Sequence, residues 1–422
     1  MAALKPQIYQ HDIGILTHLA AQLPSSIALL RRIQHGIAYP SSTARILATF
    51  PPGSSPTHSQ PWLAARVDLF RSRETQIFLY SSLEAEHTLT PAIFPLLTDP
   101  AHQATTSYGA GSRGPGPINT SLIASSLTAS PEHLDVTREQ LLQMLLYIKA
   151  NLLPDYLASL LSMRSIGAMS SPASNCAPPS LEPKAFLIGS LHTGLFTLLL
   201  RSGSFAHPIV DADVDLDPYP GLKIHRFDGR PYLKYFFRQT RVNSKISDGE
   251  IPLPKGYRYC DKRGRFGVLY SQLDLIQSRT HIPRSKEQLS SIPSVVIYHD
   301  SGKEENVHGC SGSSCCSSKE TDEMPIAWAF LGLDGALATL HVEPGHRGQG
   351  LAPCLSVETM RRGMDLDGIF SAKGEDEKVQ NHLREWVHAD VAQYNMASRR
   401  VMEKVGGEIL STVMWTAIEL CD

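Results

Sequence analysis

Apolar residues along the chain recur at two spacings, which divide it into short helices and strands. "SSIALLRRIQHG" (25–36) has helical spacing and predicts a helix stopped by Gly36. "ARILATF" (44–50), "WLAARVDLF" (62–70) and "TQIFLYSS" (75–82) read as strands. Residues 137–150 predict a helix striped with Leu141, Leu142, Leu145, Leu146 and Ile148, opened by a capping box of Thr137 and Gln140. Pro154 ends or kinks it, and "DYLASLLSM" (155–163) starts another. "LKIHRF" (222–227) and "YLKYFF" (232–237) flank Asp228–Gly229 and predict a hairpin.

The second half reads as helix 267–280, strand "SVVIYH" (294–299) and strand "IAWAFLG" (326–332). A turn at Asp334–Gly335 leads to a third strand, "ALATLHVEP" (336–344), and then a helix from Leu351 that tolerates Pro353 in its first turn. Strand "REWVHADV" (384–391), a helix capped by Asn395 and ended by Gly406–Gly407, and strand "TVMWTAIEL" (412–420) follow. The fold class expected is α+β with a mixed sheet.

Stretches 102–130, 165–183 and 301–323 are rich in Ser, Gly, Thr or Pro. They lack apolar surface to offset chain entropy and are expected to be disordered inserts. The length suggests two or three domains, and the chain is read as two, 1–240 and 251–422. In the first, "RRIQHG" (31–36) is explained as a basic helix end with a glycine cap, and no catalytic constellation stands out.

Composition narrows the function by exclusion. A hydrophobic share of 42% suits a chain that buries real cores, and a net charge of −2 leaves no broad field for nucleic acid or an anionic membrane. The longest apolar run, 187–200, is broken by His192 and Thr193 and is too short to span a bilayer. The first residues lack the basic-then-apolar pattern of a secretory signal, so a cytoplasmic location is expected. Seven cysteines, an odd number, argue against a disulfide framework. "CSGSSCC" (310–316) near His308 fails the spacing of zinc sites, so a mobile loop and no metal are expected there.

The chemistry concentrates in "HVEPGHRGQGLAPC" (341–354). A strand, a glycine-rich turn and a helix gather unpaired N–H groups and the positive end of the helix dipole at one point. Gly348 and Gly350 let an anion approach the backbone. The pattern is neither a Walker loop nor a dinucleotide fingerprint.

Arg347-Gly348-Gln349-Gly350-Leu351-Ala352 resembles the pyrophosphate-binding signature of the GNAT superfamily of N-acetyltransferases. The preceding "LHVEP" is similar to that family's strand end. "HADVAQYNMASRRVMEKVGG" (388–407) resembles its second motif, in the right order after the first. The resemblance covers about 251–419 and comes nearest to glycine N-acyltransferase-like proteins, whose first half is a degenerate GNAT-like domain.

The resemblance implies direct transfer from acetyl-CoA or another acyl-CoA to a bound amine. Amides of Arg347, Gly348, Gln349, Gly350, Leu351 and Ala352 would hold the pyrophosphate. Leu340, His341 and Val342 would pair with the pantetheine arm and offer the oxyanion donor. Asn395 and Ser398 would touch the CoA arm, although helix capping explains them equally well.

Two positions depart from the family. Ala336 stands where many members carry an acidic base, and Met402 where many carry a tyrosine that protonates the thiolate. Asp334, His388 and Asp390 are candidate replacements, a histidine being suited to take an ammonium proton near neutral pH. His341 and Glu343 have the wrong strand parity and reach the site only if a bulge intervenes. The expected function is an acyl-CoA-dependent N-acyltransferase for the amine of a small molecule or amino acid. A CoA-binding pseudoenzyme or sensor, and a protein N-acetyltransferase, are the alternatives. The oligomeric state is not legible.

Overall fold

The computed structural model describes residues 6–422 apart from 58, 72–73, 93–95, 98–121, 166–181, 206–208, 211–218, 240–250, 281–283, 301–321, 366–367 and 371–381. In chain order the first elements are β1 (Tyr9–His11), α1 (Ile15–Ala20), α2 (Ile27–Ala38), β2 (Arg45–Ala48), β3 (Leu63–Val67) and β4 (Ile77–Ser81). Next come β5 (His87–Ala92), β6 (Leu96–Leu97), β7 (Leu122–Leu127), α3 (Pro131–Asn151), α4 (Leu153–Ser165) and β8 (Phe186–His192). They are followed by α5 (Thr193–Ser202), β9 (Ser204–Phe205), β10 (Ile209–Val210), β11 (Leu222–Phe227) and β12 (Tyr232–Arg238). The rest are β13 (Tyr257–Arg258), α6 (Leu273–Arg279), α7 (Lys286–Ser290), β14 (Ser294–His299), β15 (Ala327–Leu331), β16 (Leu337–Val342), α8 (Leu351–Gly363), β17 (Trp386–Ala392), α9 (Met396–Lys404) and β18 (Glu408–Leu420).

The larger sheet runs β1-β2-β3-β4-β8-β18-β11-β9, with β12 pairing both β17 and β18. The mixed α+β class follows from its parallel β4–β8 pair among antiparallel neighbours. Period-two alternation covers both faces. Leu63, Ala65, Val67, Ile77 and Leu79 join the core under α3, α4 and α5. Ala64, Phe78 and Tyr80, between them in sequence, pack with α1 and α2.

A four-stranded sheet, β13-β14-β15-β16, carries the second half. Ala327, Ala329 and Leu331 of β15 face a core with α8. Trp328 and Phe330 face the opposite side, with Leu273, Ile276 and Leu289 of α6 and α7. No helix among the described residues is long and apolar enough to cross a membrane.

Several expectations need correction. Helix α2 runs through Gly36 to Ala38, because the Arg66 guanidinium occupies the place of a side chain there, 2.9 Å from where a Cβ would stand. Helix α3 starts at Pro131 under a Ser130 cap, and Thr137 lies buried inside it. β11 and β12 form no hairpin; both pair antiparallel with the long strand β18. The helix expected from 267 begins at 273, after a tight turn at Tyr270–Gln272.

The first insert is shorter than expected, since β7 occupies 122–127. Its Ser125 is used structurally: its N–H donates to Thr193 Oγ1 at 2.9 Å and Thr412 Oγ1 at 2.7 Å. At the edges of the other inserts, Ser165 closes α4, and Asp322 and Glu323 pair with Arg265 and Arg258 at 2.7 and 2.5 Å. Residues 102–121, 166–181 and 301–321 of the three inserts, including the segment from Cys310 to Cys316, lie outside the described residues.

The expected division between 240 and 251 coincides with no break in the sheet. β12, from the first half, is hydrogen-bonded between β17 and β18 of the second.

Candidate functional site

β16 and β17 run parallel and meet at a single bridge, Ala336 with His388. Beyond it β16 pairs only with β15, and β17 only with β12, among the described residues. The facing edges of 338–342 and 389–392 are therefore left with unpaired backbone groups along a split between two sheets.

A bulge sits on β16 at this point. Trp328 opposes His341 and Phe330 opposes Ala338, so one β15 residue faces two of β16. Thr339 takes φ of +53°, a left-handed conformation that is costly for a β-branched residue. The bulge reverses the parity beyond it. His341 consequently stacks on Trp328, ring centroids 4.5 Å apart, on the same face as Ala338. Glu343 lies 3.7 Å from His341 and is held by Arg279 at 2.9 Å.

The strand then enters the glycine loop. Gly348 and Gly350 have φ of +79° and +80°, and a Cβ at either would meet nothing within 4 Å. Their glycines thus serve the backbone turn and leave open space above it. α8 begins at Leu351 with Gly350 as its cap and no side chain bonded to its first N–H groups. An exposed helix start without a capping side chain is suited to an anion. The Arg347 guanidinium folds back onto the Val342 carbonyl at 2.9 Å, tying the loop to the strand end. Leu351 is buried against the core and fixes the helix, while Ala352 is half-buried.

Asn395 caps α9, its side-chain oxygen accepting from the Ser398 N–H at 3.1 Å. Met402 is 2% exposed and belongs to the core under α8. Ala336 is buried at the strand bridge.

The three proposed acid–base residues do come together: one ligand atom from each of Asp334, His388 and Asp390 lies within 4.8 Å of the others. Their environments differ. His388 is fully buried, with its Nε2 3.9 Å from Asp334 Oδ2, too long for a direct hydrogen bond. Burial, then the nearby Lys234 ammonium, lower its pKa, so the ring is neutral near pH 7. Burial raises the Asp334 carboxyl, but His388, Lys234 and the Ala336 N–H outweigh it and hold the group ionised. Asp390 is engaged by Lys234 at 2.9 Å and by the Ser190 hydroxyl at 3.1 Å.

Lys234, Ser190, Glu84 and His192 were invisible to periodicity arguments. With Tyr80 they border a cavity of about 10 Å³ behind Asp390. That is room for about one water and far too little for a substrate. The wholly buried Glu84 carboxyl is pushed up to about 8 by desolvation. Arg31, in the first half of α2, bonds the carbonyls of Phe370 and Trp386 at 3.1 Å and that of Leu383, and so anchors the segment leading into β17. The basic stretch of α2 is therefore buried and is no solvated helix end.

In the second half, a split between parallel strands leads directly into the glycine loop and helix whose sequence resembles the GNAT signature. The chain belongs to the family described as the acyl-CoA N-acyltransferase verG N-terminal domain, whose model matches residues 5–235, more than half of its length. Membership implies an acyl-CoA co-substrate and an amine acceptor. No curated protein matches the chain.

Several solved structures resemble it. A Drosophila protein aligns at 8% identity over 97% of this chain and 98% of its own, with a TM-score of 0.46. A GNAT-family acetyltransferase of Novosphingobium aromaticivorans aligns at 14% identity over 49% and 71%, TM-score 0.26. A GCN5-related N-acetyltransferase from Kribbella flavida aligns at 11% identity over 55% and 67%, TM-score 0.30. Scores this low carry no argument beside the family match.

Proposed function

We propose that the protein moves an acyl group, acetyl in the simplest case, directly from the CoA thioester to the amine of a small molecule or amino acid. The observation that carries this reading is the split beyond Ala336, which ends at the side-chain-free start of α8. The amides from Arg347 to Ala352 receive the pyrophosphate, and the unpaired edge from Leu340 to Val342 accepts the pantetheine arm. A backbone N–H on that edge faces the thioester carbonyl and stabilises its developing oxyanion. Asn395 and Ser398 border the arm from α9; Asn395 has its amide N–H₂ and one lone pair of its oxygen left to offer.

His388 is the base in this scheme. Its neutral ring takes a proton from the acceptor ammonium, and the ionised Asp334 steadies the imidazolium that results. Asp390, already bound to Lys234, fixes the surroundings of the ring. The freed amine attacks the thioester carbonyl, the C–S bond breaks, and the departing thiolate takes the second proton of the amine nitrogen to leave as the CoA thiol, giving the neutral amide.

Gly350→Val tests the site. It forces a β-branched residue to φ of +80° and fills the open space over the amides. Calorimetry should show acyl-CoA affinity falling at least about tenfold. Unchanged affinity would remove the pyrophosphate site from this loop. Thiol release against an amine panel then separates an enzyme from a CoA-binding sensor.

A further inference from the structure

Three arginines and a histidine meet beside Asp334 without enough carboxylate to match them. Arg32 is 1% exposed, and its Nε and Nη1 have no hydrogen-bond partner. Its guanidinium carbon lies 5.6 Å from the centre of the Phe78 ring. Arg66 is also buried and has no ion pair among the described residues. Arg284, half-buried on the approach to α7, has an unpartnered Nε. His35, one turn along α2 from Arg32, has both ring nitrogens without a partner within hydrogen-bond geometry.

The acids nearby are engaged elsewhere. Asp68 and Glu74 lie 3.7 and 3.4 Å from Arg71, and Asp68 also accepts from Ser41 and Thr43. Asp334 faces His388. An unpaired guanidinium taken out of water costs several kcal/mol, and neighbouring ones repel one another. Close-packed interiors keep such a group where a ligand supplies the missing charge.

We infer that Arg32, Arg66, Arg284 and His35 form a subsite for an oxyanion, carboxylate or phosphate in type, between α2, the end of β3 and the segment before α7. Arginine's planar fork suits either anion through paired N–H bonds. Gly335, next to Asp334, packs on the side chain of Arg31, 2.8 Å from where a Cβ would stand, so Arg32 of the same helix turn lies by the Asp334–His388 pair, and Asp334 acts electrostatically on both Arg32 and Arg284. An acceptor anchored here by its own anionic group would present its amine toward His388. This part rests on the acyl-transfer reading above; the anion subsite itself does not.

The test titrates sodium sulfate into the full-length protein at constant ionic strength, with calorimetry and thermal denaturation as readouts. Wild type should bind saturably, and Arg32→Met and Arg284→Met about tenfold or more weakly, both with acyl-CoA affinity unchanged. Without sulfate, Arg32→Met should melt no lower than wild type, because an uncompensated buried charge has been removed. Should Arg32→Met fail to fold, Arg284→Met alone decides. Equal sulfate binding in wild type and variants, or none in wild type, overturns the subsite.

A second arm compares acyl transfer to an amino carboxylate and to its amide. A KM for the carboxylate raised by Arg284→Met, with the amide unaffected, assigns the anion to the acceptor. Sulfate binding without that discrimination assigns the subsite to a free anion. Sulfate binding with no transfer to any amine sinks the enzyme reading and leaves the subsite standing.

Discussion

His388 differs from an ordinary surface histidine in one respect that kinetics can read. Burial and Lys234 keep its ring neutral to lower pH than the usual value of about 6.5. If it is the base, kcat/KM should hold below that value and fall only in stronger acid. His388→Gln should lower kcat about a hundredfold or more with acyl-CoA affinity intact. A loss confined to KM would move the base elsewhere. Glu84 supplies a second residue-scale test. Its folded pKa of about 8 lies above the unfolded value, so wild type loses stability as pH rises through the window between them. Glu84→Gln removes that loss. The stability gap favouring the variant should open above about pH 4.5 and reach on the order of 3 kcal/mol at pH 7. A pH-independent gap in thermal melts would refute the buried-acid account. His388 itself was a candidate from sequence, but the surroundings that set its protonation were not legible there, since Glu84 and Lys234 stand in ordinary strand and turn contexts.

Elements are where the sequence was most informative, and the reason is local. The strand, glycine loop and α8 carry their own instructions: alternating apolar residues, two glycines in left-handed conformations, and a proline tolerated in a first helical turn. The Asn395 cap is equally local. Asn395→Ala should cost about 1 kcal/mol in denaturant melts. It should weaken acyl-CoA binding less than about threefold, since the side-chain oxygen is already occupied by the Ser398 N–H. A larger loss of affinity would make Asn395 a CoA ligand first and a cap second. What sequence missed depended on remote partners. Gly36 reads as a helix stop until Arg66 is seen filling its missing side chain. β11 and β12 look like a hairpin until β18 separates them. Arg66 inside the apolar strand "LAARV" was the one available hint that α2 buries charge.

At the scale of the whole molecule, residues 251–422 contain the glycine loop but lack β12, which supplies the neighbour between β17 and β18. A fragment 251–422 should therefore expose two strand edges and fail to melt cooperatively, whereas the full chain should unfold in one transition. A cooperative melt of the fragment by circular dichroism would show that the second half is self-sufficient. The family match on 5–235 and the loop at 347–352 then describe two parts of one machine.

β18 touches β8, β11 and β12, elements separated from it by some of the longest sequence intervals in the chain. Such distant pairing is slow to find and rewards the chain only late. During synthesis, the sheet must wait with unsatisfied edges until residues 408–420 have left the ribosome. Folding of this protein is therefore expected to complete late, with a chaperone-sensitive interval that a chain with local topology would not have.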